Sequence, residues 1–144
     1  MAKAQDGWTI RPLSRSDMER RIDQFLDLDR SPLGWDGERL LSDRPGKWDL
    51  SLAAFEDDRA IGLLLASLRS PGRPHIHLLL VHEEHRSAGV GQALVEAHRK
   101  HSPWPVTTLK VGRKNEGAIR FYRRNGFRIL TRKGDYLWLA TGTK

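Results

Sequence analysis

The sequence predicts an α/β (α+β) domain built on a mixed sheet of seven strands with helices on both faces. Two observations carry this. Strand-length apolar segments and helical-period segments alternate along the 144 residues, the pattern of a sheet that must be covered. At the centre, Leu78-Leu79-Leu80-Val81 passes through a turn holding Gly89 and Gly91 into a segment where Val90, Ala93, Leu94 and Ala97 recur at i, i+3, i+4 and i+7. The length suits one domain, 1–144, with a real core.

The elements follow in order. Residues 8–13 form a first strand, stopped by Pro12. Ser16 and Glu19 have capping-box spacing, and Met18, Ile22, Phe25 and Leu26 mark one helix face. Residues 31–47 are punctuated by Pro and Gly around a short helix at Leu40-Leu41. Strands are expected over 48–56 and 60–68, joined by a hairpin turn at 56–59, and 70–74 is a loop. The central strand and its helix come next, then a strand over 106–111. A helix over 115–125 places Ala118, Phe121 and Tyr122 on one side, with Gly126 as its stop. Strands over 127–130 and 136–140 close the chain around Lys133-Gly134-Asp135.

Composition narrows the function. Hydrophobic residues are 38% and charged residues 30%, a globular composition. No apolar run approaches the ~20 residues of a membrane span, and the N-terminus lacks a signal-peptide core. The absence of cysteine removes disulfides and a cysteine nucleophile and fits a cytoplasmic setting. Net charge is +7, concentrated from Arg99 onward, whereas acids dominate between Asp17 and Asp58. A basic half suits a phosphate-rich ligand, and an acidic half suits a cationic acceptor such as an amine. Arg120, Arg123 and Arg124 share a helix, but no nucleic-acid module is visible.

A glycine turn between strand and helix presents free backbone amides to an anion, at the positive end of the helix dipole. No Gly-Lys-Ser/Thr follows, so this is not a P-loop. Leu94 stands where a dinucleotide fingerprint needs its third glycine.

Arg86-x-x-Gly89-x-Gly91 after an apolar strand resembles the coenzyme A loop of the GCN5-related N-acetyltransferase (GNAT) superfamily. A second match, Asn115-x2-Ala118-x2-Phe121-Tyr122-x2-Asn125-Gly126-Phe127, resembles the back half of that fold. The resemblance implies a mostly antiparallel seven-stranded sheet with splayed central strands and about four helices. It implies acetyl-CoA as co-substrate, no metal, and direct acetyl transfer to a primary amine in a ternary complex. Leu79, Leu80 and Val81 match the strand whose backbone holds the pantetheine arm and acetyl carbonyl. Arg86, Ser87, Ala88, Gly89, Val90, Gly91 and Gln92 match the pyrophosphate loop, and Asn115 the asparagine that contacts the cofactor arm. Tyr122 matches the tyrosine that protonates the leaving thiolate. A tyrosine on an amphipathic helix also fills core with its ring.

Where relatives carry a glutamate base before that asparagine, this chain has Lys110, which cannot serve at its usual pKa. His75-x-His77-x-Leu79-x-Val81-His82 instead resembles the arylalkylamine N-acetyltransferases, in which two histidines relay the proton. Strand residues two apart share a face, so His75 and His77 can line one channel, and an ordinary histidine pKa near ~6.5 suits a base at neutral pH. Solvent-facing strand-end histidines are the plainer alternative, and Glu56 is the reserve base. A non-catalytic acyl-CoA-binding module and a longer acyl chain remain rival readings. The acceptor and the oligomeric state are open, a homodimer being common among relatives. Trp35 and Trp48 are candidates to line the acceptor pocket.

Overall fold

A computed structural model describes residues 2–3, 7–28, 36–86 and 88–142. Ser87, from the expected pyrophosphate loop, and Trp35 lie outside the described residues. The strands are β1 (Ala2–Lys3), β2 (Trp8–Pro12), β3 (Leu52–Glu56), β4 (Arg59–Ser70), β5 (Arg73–Val81), β6 (Thr107–Gly112), β7 (Phe127–Lys133) and β8 (Tyr136–Thr141). The helices are α1 (Arg15–Arg20), α2 (Ile22–Leu28), α3 (Gly37–Leu41), α4 (Lys47–Leu50), α5 (Val90–His101) and α6 (Glu116–Arg124). One mixed sheet runs in the order β1-β2-β3-β4-β5-β6-β8-β7. Every pairing is antiparallel except β5 with β6. This is the expected architecture, with a two-residue edge strand added to the seven.

Local chemistry moved some boundaries. The first helix is capped by Ser14, whose hydroxyl accepts from Asp17 N–H at 3.0 Å, two residues before the Ser16 box. It breaks at Arg21, so one expected helix is two. Residues 47–50 are one helical turn rather than the start of a strand. Lys47 opens that turn, and its buried ammonium donates to the carbonyls of Leu40 (2.7 Å) and Ser42. The β4–β5 hairpin is longer than expected and turns tightly at Pro71-Gly72.

Both faces of β4 are covered, so Ala60 through Ser67 are all buried. Ile61, Leu64 and Ala66 join Val90, Leu94 and Val95 of α5 on one side. Leu63 and Leu65 join Met18, Phe25 and Leu40 on the other. Burying a side chain of this size contributes roughly 1.5–3 kcal/mol, so β4 and α5 anchor the sheet around which the site is built.

Candidate active site

The central strand diverges from its neighbour. β5 and β6 pair in parallel only at His75–Thr108 and Ile76–Leu109. Beyond that fork β5 continues to Val81 bonded to β4 alone, with Leu79, Leu80 and Val81 reaching Leu64, Leu63 and Gly62. The expected splay is therefore present, and the side of β5 turned toward β6 faces a gap.

A bulge re-aims β5 at the same place. Ala66 pairs with Ile76 but Leu65 with Leu78, so β5 carries one extra residue, His77. Ile76, Leu79 and Val81 consequently pack on the α5 side, and Leu78 and Leu80 on the α1–α3 side. Without the bulge Ile76 would share a face with Leu78 and Leu80.

Two cavities meet along this strand. The larger, about 1020 Å³, is walled by Leu79, Leu80 and Val81 of β5, by the start of α5, and by Ala118, Phe121 and Tyr122 of α6. Gly89 caps α5 in the left-handed conformation (φ 90°), and a Cβ there would meet nothing within 4 Å. The backbone at Gly89 is therefore open, and its conformation favours glycine. The first intrahelical bond runs from Ala93 N–H to Gly89 C=O at 3.0 Å. The amides of Val90, Gly91 and Gln92 precede it, no side chain caps the end, and the first turn holds no acid. Such an end accepts an anion. Arg86 and Arg124 add cationic walls, and Arg86 Nε donates to Val81 C=O at 3.2 Å. Gly91 has a second reason to be small: a Cβ there would stand 3.3 Å from Phe121 Cζ.

Tyr122 lies in this cavity, its ring between Phe121 and Phe127 at centroid distances of 5.2 and 5.4 Å. Burial pushes its phenol up to about 12, so it is protonated across the physiological range and is a hydrogen-bond donor. The ring thus fills core, the plainer reading, while the phenol stays protonated. Asn115 lies apart from the main cavity. It caps α6, accepting from Ala118 N–H at 3.2 Å, and lines a neighbouring cavity of about 420 Å³ beside Arg113 and Lys114.

His75 and His77 line the second cavity, about 500 Å³, bounded by the α3–α4 segment. Their rings are 5.1 Å apart, so they do share a channel. His75 Nδ1 lies 2.8 Å from Thr108 Oγ1, and His77 Nε2 lies 2.6 Å from Ser67 Oγ. An ordinary imidazole pKa is not what this setting gives. Burial first, then neighbouring positive charge, pushes His75 down to about 3 and His77 down to about 4. The reserve base Glu56 is bonded to His85 at 3.0 Å, beside the larger cavity. Trp48 is held by Asp43 through its indole N–H at 2.8 Å and packs against the α1–α3 core.

Among the described residues, no carboxylate of the acidic half lines the second cavity. Among those residues its charged lining is Arg39, Arg44, Arg69 and Lys110. Sequence reasoning missed these arginines because they come from separate elements. It also missed Ser67, although the register fixed by the tight hairpin sets Ser67 opposite His75.

Comparisons with known proteins agree with this geometry. The family model for the acetyltransferase (GNAT) family matches residues 12–127. A peptidyl-lysine N-acetyltransferase of Escherichia coli, YjaB, is 34% identical over 83 residues, 58% of this chain and 52% of that protein. The match thus spans about half the length of that relative. Among solved structures, Ard1 from Thermoplasma volcanium superposes with a TM-score of 0.74 at 24% identity, covering 96% of this chain and 99% of its own. The PaiA N-acetyltransferase of Thermoplasma acidophilum, in complex with coenzyme A, gives 0.72 at 21% identity over 94% and 99%. These two likenesses establish the fold.

Proposed function

The chain belongs to the acetyltransferase (GNAT) family, and from that premise we propose that it transfers acetyl from acetyl-CoA directly to a primary amine in a ternary complex. The observation that carries this reading is the fork after Ile76–Leu109, which opens onto a cavity shared by free helix amides and Tyr122.

The residues present fit acetyl-CoA. Amides at the start of α5, with Arg86 and Arg124, suit its diphosphate. The unpaired edge of β5 beyond the fork suits the amide-rich arm and the thioester oxygen, where an N–H stabilises charge that develops only in the transition state. Leu79, Leu80, Val81, Ala88, Gly89, Val90, Gly91 and Gln92 are the binding stretch in this reading. Ser87 and Asn115 complete the set that the motifs suggest.

The amine lone pair attacks the thioester carbonyl carbon. Collapse of the tetrahedral intermediate breaks the C–S bond, the attacking nitrogen gives up its extra proton by way of the histidines, and the leaving thiolate accepts a hydrogen bond from Tyr122. A phenol near 12 holds its proton more tightly than a thiol near ~8.5. Tyr122 therefore works by donating a hydrogen bond as sulfur charge develops, and full transfer follows only with proton resupply. The ammonium proton leaves by way of His75 and His77, which resemble the arylalkylamine-type pair. Both are neutral at pH 7, so they receive a proton transiently and pass it on.

The deciding experiment incubates the protein with acetyl-CoA and a panel of primary amines and follows free thiol. Amine-dependent release with matching N-acetyl product is expected. Coenzyme A binding with no release for any amine would make the protein a binder and sink the enzyme reading.

A further inference from the structure

The second cavity has the wrong charge for a simple amine. Its rim carries the cations of Arg39, Arg44, Arg69 and Lys110, and among the described residues no carboxylate lines it. The rest of its polar lining, Ser67, His75 and His77, is neutral at pH 7. Burial is the first cause that depresses both histidines; Arg44 and Arg69 add to it at His77, and His77, Arg69 and Lys110 add to it at His75. Arg69 is held in place, its guanidinium stacked 4.5 Å from the Trp138 ring. The cavity adjoins the reaction side directly. His77 lines it and Leu79 lines the other, a separation of two residues or about 6.6 Å along a strand.

A bare ammonium entering here meets like charge on several sides, which costs affinity. A molecule that carries an oxyanion beside its amine does not. We infer that the acceptor is a small primary amine bearing a carboxylate or phosphate, its anion held by Arg44, Arg69 and Lys110 while its nitrogen points past the histidines toward the fork. The volume, about 500 Å³, is that of a small-molecule site. The inference rests on the acetyl-transfer reading for its chemistry, but the anion site can be measured without turnover.

Matched acceptors test it: β-alanine against propanolamine, O-phosphoethanolamine against ethanolamine, and ethylenediamine as the dication. Turnover is measured by thiol release, and binding to the coenzyme A-loaded protein by calorimetry. The anionic member of each pair should have kcat/KM at least about tenfold above its neutral partner, the sum of several part-exposed charge pairs. Raised salt should erode that ratio. Arg69→Gln and Arg44→Gln should each lower it several-fold, and Arg44→Glu with Arg69→Glu should turn preference toward ethylenediamine. Coenzyme A affinity in each variant reports that the fold is retained. The carboxylate and phosphate pairs show which oxyanion is preferred. Binding of the anionic amines without thiol release would keep the anion site and sink the enzyme reading. Turnover with equal rates across each pair, or best with the dication, would overturn the inference and leave the enzyme reading standing. Neither binding nor preference by any anionic amine would also overturn it.

Discussion

His77 Nε2 lies 2.6 Å from Ser67 Oγ, and His75 Nδ1 is engaged in the same way by Thr108. A hydroxyl engages one nitrogen of each ring, and burial first of all holds His75 at about 3 and His77 at about 4. Neither titrates between pH 6 and 9. His75→Ala with His77→Ala should therefore lower kcat/KM by a similar factor across that range, on the order of tenfold or more. The acid limb should follow the acceptor's own ammonium instead. A wild-type limb near pH 6.5 that disappears in the double variant would show the histidines titrating as ordinary bases.

His98 makes the same physics a matter of stability. It is a buried residue of α5, with Nε2 2.9 Å from Thr107 Oγ1, and burial pushes it down to about 4. Below pH 6.5 the unfolded chain binds a proton that the folded chain refuses, so stability falls as pH drops from about 6.5 toward 4. Above 6.5 this group contributes no pH dependence. The slope is at most about 1.4 kcal/mol per pH unit for one histidine. Urea midpoints at pH 7.5 and 5 should differ less in His98→Gln than in the wild type, even if the variant is less stable at both.

Tyr122 separates binding from chemistry. Its ring is packed by Phe121 and Phe127, and Tyr122→Phe keeps that packing while removing the donor. Turnover should fall on the order of 10²-fold, with coenzyme A dissociation constants within about threefold and little change in thermal midpoint. A variant that loses cofactor binding in proportion to rate would make the tyrosine a packing residue.

The helix end was legible because it is written in local sequence, whereas the fork was expected only through the family resemblance. An apolar run, a glycine that tolerates φ 90° and a period of 3.6 residues sit within one stretch. The short helix α3 was legible at Leu40-Leu41, but α4 was not: Lys47 there is buried against three peptide carbonyls, and strand propensity at Trp48 lost to tertiary context. The histidines' neighbours were hidden for a related reason. Ser67 reaches His77 through the hairpin register and a bulge, and Arg39, Arg44, Arg69 and Lys110 converge from four places in the chain. The sign of the charge in that cavity followed from convergence, and block composition pointed the opposite way.

The two loop glycines should fail differently. At Gly89 the space is open but φ is 90°, so Gly89→Ala costs backbone strain of about 1 kcal/mol or more and turns the first amides away from the anion. At Gly91 the backbone is helical, and Phe121 Cζ would stand 3.3 Å from the new methyl. Gly91→Ala should push that ring and disturb its neighbour Tyr122. Calorimetry should find coenzyme A weakened in both, with the larger stability loss in Gly89→Ala. Adding Phe121→Leu should restore binding to Gly91→Ala and leave Gly89→Ala unimproved.

On the acceptor site proposed above, Lys47 ties the fold to recognition without touching a ligand. Its ammonium gathers the carbonyls at the end of α3, Leu40 at 2.7 Å among them, and so fixes the segment that carries Arg39 and Arg44 to the cavity rim. Lys47→Met keeps the apolar stem and removes the donor, leaving buried carbonyls without it, at a cost of about 1–3 kcal/mol. The larger cavity is built from β5, α5 and α6, and none of these depends on that clasp. Lys47→Met should therefore lower the thermal midpoint and raise the acceptor KM several-fold, while coenzyme A affinity changes little. Lys47→Arg should not rescue it, because a planar guanidinium does not match three carbonyls gathered around one nitrogen. Equal losses in acceptor KM and coenzyme A affinity would show instead that the segment supports the whole site.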